Sequence, residues 1–173
     1  FYLEGQISMA SPGEGREMTV YASTQDPTEV QHIVARILGI PDAFVTVETR
    51  RMGGGFGGKE SQACAWAALA ALGAHVTGRP CKIRLDRDDD FALTGKRHAF
   101  RDDFRIGFDG EGRVSAYDVA LNANCGCSAD LSAGVVDRAM FHASNCYWLP
   151  VARVASRRLK TNIVSATAFR GFG

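Results

Sequence analysis

The sequence lacks a strong excess of either charge, a long hydrophobic run and a targeting signal. Its 20 Lys and Arg residues nearly balance 19 Asp and Glu residues, so the sequence predicts no basic surface for nucleic acid. The longest apolar run, around 63–72, is rich in alanine and too short to cross a bilayer. No signal peptide or targeting tail is visible. These absences favour a cytoplasmic protein with no membrane partner.

Paired cysteine motifs are also missing. The number of cysteines is odd and no C-x-x-C pair occurs, which argues against a disulfide framework and against a zinc ribbon. We therefore expect buried free thiols in a reducing compartment. The five positions are Cys64, Cys81, Cys125, Cys127 and Cys146.

The chain begins without Met, and it ends at Phe172-Gly173 inside a glycine-rich apolar stretch. Domain ends are usually polar and exposed, so we expect an internal fragment of a longer polypeptide. Hydrophobic residues at 46% and charged residues at 23% are globular values. We predict a single partial domain over 1–173, with no internal boundary.

Strand and helix signals alternate along the chain and predict an α+β (mixed α/β) fold. Asp26 and Glu29 form a capping box before an apolar stripe that ends at Gly39. The next helix, 59–77, is nearly all Ala and Leu and should be buried. Asp109 to Gly112 has strong turn chemistry, and the acidic run at 86–90 is interpreted as a solvated loop. The predicted strands are 18–22, 44–49, 81–85, 103–108 and 113–122, with loops beyond 122 and short strands near 151–160.

Five of the six residues from Gly53 to Gly58 are glycine. Glycines let a ligand approach the backbone, and a following helix favours an anion. Gly53, Gly58 and Lys59 match the spacing of a phosphate-binding P-loop, but Glu60 stands where Ser or Thr should hold magnesium. A non-catalytic nucleotide-binding domain is one alternative, which binding of ATP with magnesium would support. A tight turn alone would explain only one or two of the glycines.

The string Arg51-Met52-Gly53-Gly54-Gly55-Phe56-Gly57-Gly58-Lys59-Glu60 resembles the first glycine loop of the molybdenum hydroxylases, the xanthine dehydrogenase and aldehyde oxidase family. Four further blocks are similar to family segments in the family's order. They are Ser23-Thr24-Gln25, Thr94-Gly95-Lys96-Arg97-His98, Asp137-Arg138-Ala139-Met140-Phe141-His142 and Thr167-Ala168-Phe169-Arg170-Gly171-Phe172-Gly173.

The resemblance implies a molybdenum–molybdopterin cofactor and four residues that contact it. Gln25 would donate its side-chain amide to an oxygen ligand of molybdenum, as a neighbour and not as a direct metal ligand. Phe56 and Gly57 would lay their backbone against the cofactor. Arg170 would reach the cofactor through the second glycine loop, where a permanently charged guanidinium suits an anionic group.

Three residues are implied as substrate contacts. Glu60 and Arg138 match the polar pair that orients a purine, and Phe172 matches an aromatic residue that stacks on it. Taken singly, such a Glu is more often a helix cap, and such an Arg or Phe a surface charge or core filler. Their joint agreement with one family favours the functional interpretation. The four histidines are interpreted as structural.

The family member implied is a xanthine dehydrogenase that hydroxylates hypoxanthine and xanthine to urate, with water as the oxygen source. It implies 2Fe-2S clusters, FAD, an iron–sulfur and flavin subunit or domain, NAD as electron acceptor, and an oligomer. No catalytic residue is expected in this chain, because the family's glutamate base would lie downstream of Gly173, so the chain alone should be inactive. An aldehyde oxidase or N-heterocycle oxidoreductase is the alternative. Aldehyde oxidases typically carry apolar residues where Glu60 and Arg138 stand. Carbon monoxide dehydrogenase is disfavoured, since its cysteine-bearing loop does not resemble 167–173.

Overall fold

The structure, a computed structural model, describes residues 1–172. These residues group into two compact units, Phe1–Gly95 and a second that starts at Lys96. The sequence suggested no internal boundary, whereas the contacts between residues divide the chain into two groups at this point. Helices and two mixed sheets confirm the α+β class. Within the described residues, no helix is both long enough and apolar enough to span a membrane.

The first unit has a four-stranded mixed sheet of order β3-β2-β1-β4. β1 pairs antiparallel with β2 and with β4, and β2 pairs parallel with β3. Two helices, α1 and α2, pack against this sheet, and a short α3 follows β4. The bounds are β1 Ile7–Pro12, β2 Met18–Ala22, α1 Pro27–Leu38, β3 Val45–Glu48, α2 Ala63–Thr77, β4 Cys81–Arg84 and α3 Arg87–Leu93.

The core of the first unit follows from the strand register. Ala10 lies opposite Val20 and Ser8 lies opposite Ala22, and all four are buried. Because side chains alternate across a strand, these positions share the face that the helices cover. Burying a valine completely stabilises a fold by about 1.5–3 kcal/mol, and Val20 has no exposed surface.

Helix α1 begins and ends as the sequence predicted. Asp26 accepts the N–H of Glu29 at 3.0 Å, and Gly39 ends the helix in the left-handed conformation. The reciprocal arm of the predicted capping box does not form, because the Asp26 N–H donates to Thr24 Oγ1 at 3.1 Å. The Asp26 side chain therefore caps the helix, and the Thr24 hydroxyl binds the backbone of Asp26.

Helix α2 differs from the prediction in its start and in its exposed face. It begins at Ala63, four residues later than predicted, because residues 56–59 form turns. Its alanines are buried as predicted, but Leu69 and Leu72 are 51% and 41% exposed. Small side chains face the sheet because they allow close approach, and the larger apolar ones point outward.

The predicted acidic loop is wrong in part. Asp86 caps α3 by accepting the N–H of Asp89 at 2.8 Å. Asp90 is buried, and its carboxylate accepts from the Tyr2 hydroxyl at 2.9 Å and from the Gln6 N–H at 2.6 Å. Both partners lie more than 80 residues away in sequence, so a local pattern could not reveal them.

The second unit has a three-stranded sheet of order β5-β6-β7, antiparallel between β5 and β6 and parallel between β6 and β7. Helix α4 lies in sequence between the two parallel strands, as parallel pairing requires a crossover. The predicted turn at 109–112 is confirmed: Asp109 Oδ1 accepts the N–H groups of Glu111 and Arg113 at 2.9 Å. The bounds are β5 Ala99–Phe108, β6 Val114–Gly126, α4 Ser132–Phe141 and β7 Ala152–Lys160.

Several predicted bounds need correction. The sequence did not predict β1 or α4, and the first part of the region beyond 122 is ordered into the end of β6 and α4 rather than loops. The strand expected near 151–160 is confirmed by β7. The strand predicted at 44–49 begins after a 3-10 turn, Asp42–Phe44. None of the five cysteines forms a disulfide, but Cys127 and Cys146 are exposed, so the expectation of buried thiols is wrong for these two.

Candidate functional site

The first glycine loop, defined here as residues 53–59, connects β3 to the turns before α2, and Gln25 anchors it. Gln25 Oε1 accepts the N–H of Gly57 at 2.8 Å and the N–H of Lys59 at 3.3 Å. Two donors facing one atom identify that atom as the amide oxygen. The exposed Nε2 therefore points away from the loop backbone, with no hydrogen-bond partner among residues 1–172. Gln25 holds the loop with one end and offers a donor with the other.

The glycine at position 55 of this loop is a packing requirement. A Cβ on Gly55 would lie 2.4 Å from Gln25 Oε1, far inside contact distance, so only glycine fits beneath the glutamine. Gly57 has φ +95°, and Phe56 adopts a left-handed φ of 54° although it is not glycine. Non-glycine residues in that region are uncommon and often belong to functional loops.

Three consecutive N–H groups of the loop, on Gly54, Gly55 and Phe56, have no acceptor among the described residues. Successive free N–H groups form a concave site that favours an anion, so the loop fits the anionic pterin cofactor that the resemblance implies. Gly57 is different, because its N–H is bound to Gln25 and its carbonyl accepts from Glu60 N–H at 3.4 Å. The contact of Gly57 with a cofactor stays a prediction. Its basis is that glycine has no side chain to keep a ligand away from the backbone.

Lys59 does not behave as a P-loop lysine. Its side chain is fully buried, and its ammonium donates to Glu4 Oε2 at 2.8 Å and to Ser23 Oγ at 2.9 Å. A buried, paired ammonium cannot reach a phosphate in solution, and no helix starts at this residue. The nucleotide-triphosphate alternative therefore loses the residue on which it depended.

Glu60 follows the loop and is half-buried, and its carboxylate has no hydrogen-bond partner within residues 1–172. A buried carboxylate is usually paired, so a half-buried carboxylate without a partner is open to a polar ligand. Its role as a substrate contact stays a prediction. No group of three or more His, Cys, Asp or Glu side chains that could hold a metal ion occurs in the described part of the chain.

Arg138 lies in α4 of the second unit and is exposed, and its guanidinium has no acidic partner among residues 1–172. The first residue of α4 is held in place, because Ser132 Oγ lies 2.7 Å from Nε2 of the buried His98. Burial lowers the pKa of His98, although Asp130 and the backbone of Thr167 act in the opposite direction. His98 thus contacts the start of the helix that carries Arg138, and its interpretation as structural stays a prediction.

The second glycine loop, residues 167–172 of the described chain, is tied to the segment that precedes β5. The Thr167 N–H donates to the Lys96 carbonyl at 2.9 Å, and Arg97 Nη2 donates to the Arg170 carbonyl at 2.9 Å. The Arg170 side chain is exposed and has no partner among residues 1–172. Phe172 has φ 56°, so both glycine loops hold a phenylalanine in a left-handed conformation.

Gln25, Phe56, Gly57 and Glu60 thus belong to the first unit, and Arg138, Arg170 and Phe172 to the second. Within the first unit the structure brings Gln25, Phe56 and Gly57 together at one loop. Sequence reasoning missed Glu4, which contacts both ends of that loop, because a lone Glu outside any motif gives no signal. It also gave Arg97 no role of its own, although Arg97 lies in a block that resembles the family.

Comparison with solved structures identifies the class of fold. Aldehyde oxidoreductase from Desulfovibrio gigas matches all of this chain and 19% of its own, with a TM-score of 0.86 and 23% identity. Quinoline 2-oxidoreductase from Pseudomonas putida 86 matches 98% of this chain and 22% of its own, with a TM-score of 0.77 and 22% identity. At such identities the likeness establishes the fold alone, which is one found in molybdenum hydroxylases.

Sequence comparison then gives the family. The model of the molybdopterin cofactor-binding domain matches residues 1–173. The chain is 47% identical over 173 residues to xanthine dehydrogenase of Dictyostelium discoideum, and 47% identical over 174 aligned positions to xanthine dehydrogenase/oxidase of Rattus norvegicus. It spans 13% of the length of each of these relatives. The chain belongs to the molybdopterin cofactor-binding domain family, as its glycine loops had indicated.

Proposed function

We propose that this chain is part of a xanthine dehydrogenase that hydroxylates hypoxanthine and xanthine to urate. The observation that carries the proposal is the 47% identity to xanthine dehydrogenases across the whole chain. Two side chains support it, since Glu60 and Arg138 both present charged groups without partners among residues 1–172. In the parent enzyme these two residues would bind polar edges of the purine, and Phe172 would stack on its ring.

The first glycine loop would hold the molybdenum–pterin cofactor. The free N–H groups of Gly54, Gly55 and Phe56 would face its anionic part, and Gln25 Nε2 would donate a hydrogen bond beside the metal. Arg170 would add a permanent positive charge. The chemistry that the bound cofactor supplies is a two-electron oxidation of the substrate carbon, with water as the source of oxygen.

The residues of this chain would bind and orient the substrate, not transfer its protons. The glutamate base is proposed to lie beyond Gly173, together with iron–sulfur and FAD modules that pass electrons to NAD in an oligomeric cytoplasmic enzyme. A sister hydroxylase that acts on aldehydes shares the fold, but it does not need a carboxylate and a guanidinium at the substrate.

The test is urate formation from xanthine by the purified full-length protein, alongside its molybdenum content and its turnover of an aromatic aldehyde. We expect molybdenum to be present, with xanthine strongly preferred to the aldehyde. Molybdenum with aldehyde turnover and no urate would overturn the purine assignment. The isolated 173-residue chain, assayed beside it, should form no urate, because it lacks the base and an electron exit.

A further inference from the structure

One carboxylate joins the two ends of the first glycine loop. Glu4 Oε2 accepts the N–H of Gly53, the first loop residue, at 2.9 Å. The same atom accepts from the ammonium of Lys59, the last loop residue, at 2.8 Å. The Ser23 hydroxyl also donates to it. Three donors, two from the loop and one from Ser23, therefore meet at one carboxylate oxygen of Glu4.

The backbone of Glu4 is fixed to the loop as well. Its N–H donates to the Gly53 carbonyl at 3.2 Å, and a Cβ on Gly53 would lie 2.4 Å from the Glu4 Cβ. The contact is thus too close for any residue but glycine at position 53. The start of the loop therefore packs directly against the backbone around Glu4.

The ion pair between Glu4 and Lys59 makes this contact electrostatically important. Its ammonium is fully buried and lies 5.0 Å from the centre of the Tyr2 ring. A buried ammonium is strongly unfavourable without an acidic partner, and Glu4 is the acidic residue paired with it in the described chain. Burial raises the pKa of the Glu4 carboxyl, but hydrogen bonds from Lys59, Ser23 and Gly53 outweigh this and hold it at about 2.

The backbone of Lys59 connects the pair to the cofactor side of the loop. The Lys59 N–H shares Gln25 Oε1 with the Gly57 N–H, and the Lys59 carbonyl accepts from the Gln25 N–H at 2.9 Å and from Thr24 Oγ1 at 3.0 Å. A shift of the Lys59 side chain would therefore move the atoms that orient Gln25.

We infer that Glu4 and Lys59 form a clasp that positions the cofactor-facing backbone of residues 54–56 and the free amide of Gln25. They are positioning residues, since neither presents a free group to a ligand. The inference rests on the cofactor part of the proposed function and is independent of the substrate. Opening the clasp should loosen cofactor retention before it unfolds the protein.

The experiment uses the full-length protein with Glu4→Gln, which removes the charge at nearly constant size, and Glu4→Asp, which keeps the charge on a shorter side chain. Molybdenum and released pterin are measured per chain before and after prolonged dialysis, together with the melting temperature and hydrogen exchange of the loop peptide. Glu111→Gln is the matched control, because Glu111 forms an exposed pair with Arg113 at 2.6 Å.

We expect Glu4→Gln to weaken cofactor retention by about tenfold or more, the range seen when a group that orients metal-site ligands is lost. Loop exchange should accelerate, Glu4→Asp should recover part of both effects, and Glu111→Gln should match the unsubstituted protein. Lys59→Met tests the other half of the clasp, and Glu4→Gln decides the matter if Lys59→Met fails to fold. Retention in Glu4→Gln equal to that of the unsubstituted protein would overturn the clasp. So would a fall in melting temperature with unchanged loop exchange.

The outcomes also separate the clasp from the proposed function. A parent enzyme that contains molybdenum but oxidises only aldehydes would refute the purine assignment and leave the clasp intact. A parent enzyme that forms urate equally well with Glu4→Gln, with full cofactor content, would refute the clasp alone.

Discussion

Gln25 Oε1 accepts the N–H of Gly57 at 2.8 Å, while Nε2 of the same side chain is free among the described residues. The two ends of one amide thus differ in their surroundings, and two substitutions test them separately. Gln25→Glu keeps an oxygen acceptor for the loop but removes the donor. We expect it to preserve loop protection against hydrogen exchange while weakening cofactor retention about tenfold or more.

Gln25→Ala removes both ends and should lose loop protection as well. Leaving two backbone N–H groups without an acceptor costs about 1–3 kcal/mol for each buried donor. The measurement is hydrogen exchange of the loop peptide together with molybdenum content, for both variants. Full cofactor content in Gln25→Glu would show that the free donor has no role at the cofactor.

The Glu4 carboxyl predicts a loss of loop stability in acid. Its folded pKa of about 2 lies below the ordinary value of 4.5, so its stabilising contribution is complete above 4.5 and disappears as the pH falls from there toward 2. We expect loop protection, corrected for intrinsic exchange rates, to fall across this window. Glu4→Gln should be less protected at neutral pH and should show a flatter profile. Parallel profiles for the two proteins would argue that Glu4 is not the titrating group.

His98 predicts a second, milder pH dependence in the second unit. Burial lowers its pKa below 6.5, so the unfolded chain takes up the proton first. The stability that neutral His98 contributes is complete above 6.5 and decreases as the pH falls below it. Exchange protection of residues 132–141 should therefore decrease on acidification from about pH 7.5 to about pH 5.5. His98→Gln, which can still bond to Ser132, should flatten this response, and an unchanged response would assign it to another group.

Sequence patterns predicted the elements that their own residues determine. Helix α1 matches because Asp26 and Gly39 cap it locally, and the hairpin turn matches because Asp109 satisfies its own neighbours. Helix α4 was missed, since Gly134 and polar residues interrupt its apolar spacing. It forms because Val135 and Val136 are buried in the second unit.

The candidate site shows the same difference between features set by local residues and features set by distant ones. The glycine loops could be predicted, because their composition is unusual and their blocks resemble one family. The start of α2 could not, since Lys59 turns inward to Glu4, a residue 55 positions away. The prediction that Asp90 lies in a solvated loop was wrong for the same reason. Its partners Tyr2 and Gln6 lie at the start of the chain, far from Asp90 in sequence. Partners distant in sequence decide these positions.

The central claim is that Glu60 and Arg138 select a purine. Replacing both with apolar side chains, Glu60→Val with Arg138→Met, removes the polar contacts while the first glycine loop keeps its anchors at Gln25 and Glu4. The matched control is Glu111→Val with Arg113→Met, which removes an exposed pair in the β5–β6 hairpin. All three full-length proteins are compared at equal molybdenum content.

The deciding measurement is kcat/KM for xanthine and for an aromatic aldehyde in these proteins. A site that loses its polar partners forfeits a few kcal/mol of discrimination, so xanthine turnover should fall about a hundredfold or more. Aldehyde turnover should persist or rise, because a simple aldehyde lacks the polar edges that the two side chains would bind, and the control should match the unsubstituted enzyme. If xanthine and aldehyde turnover fall together, Glu60 and Arg138 support the cofactor or the fold and do not choose the substrate.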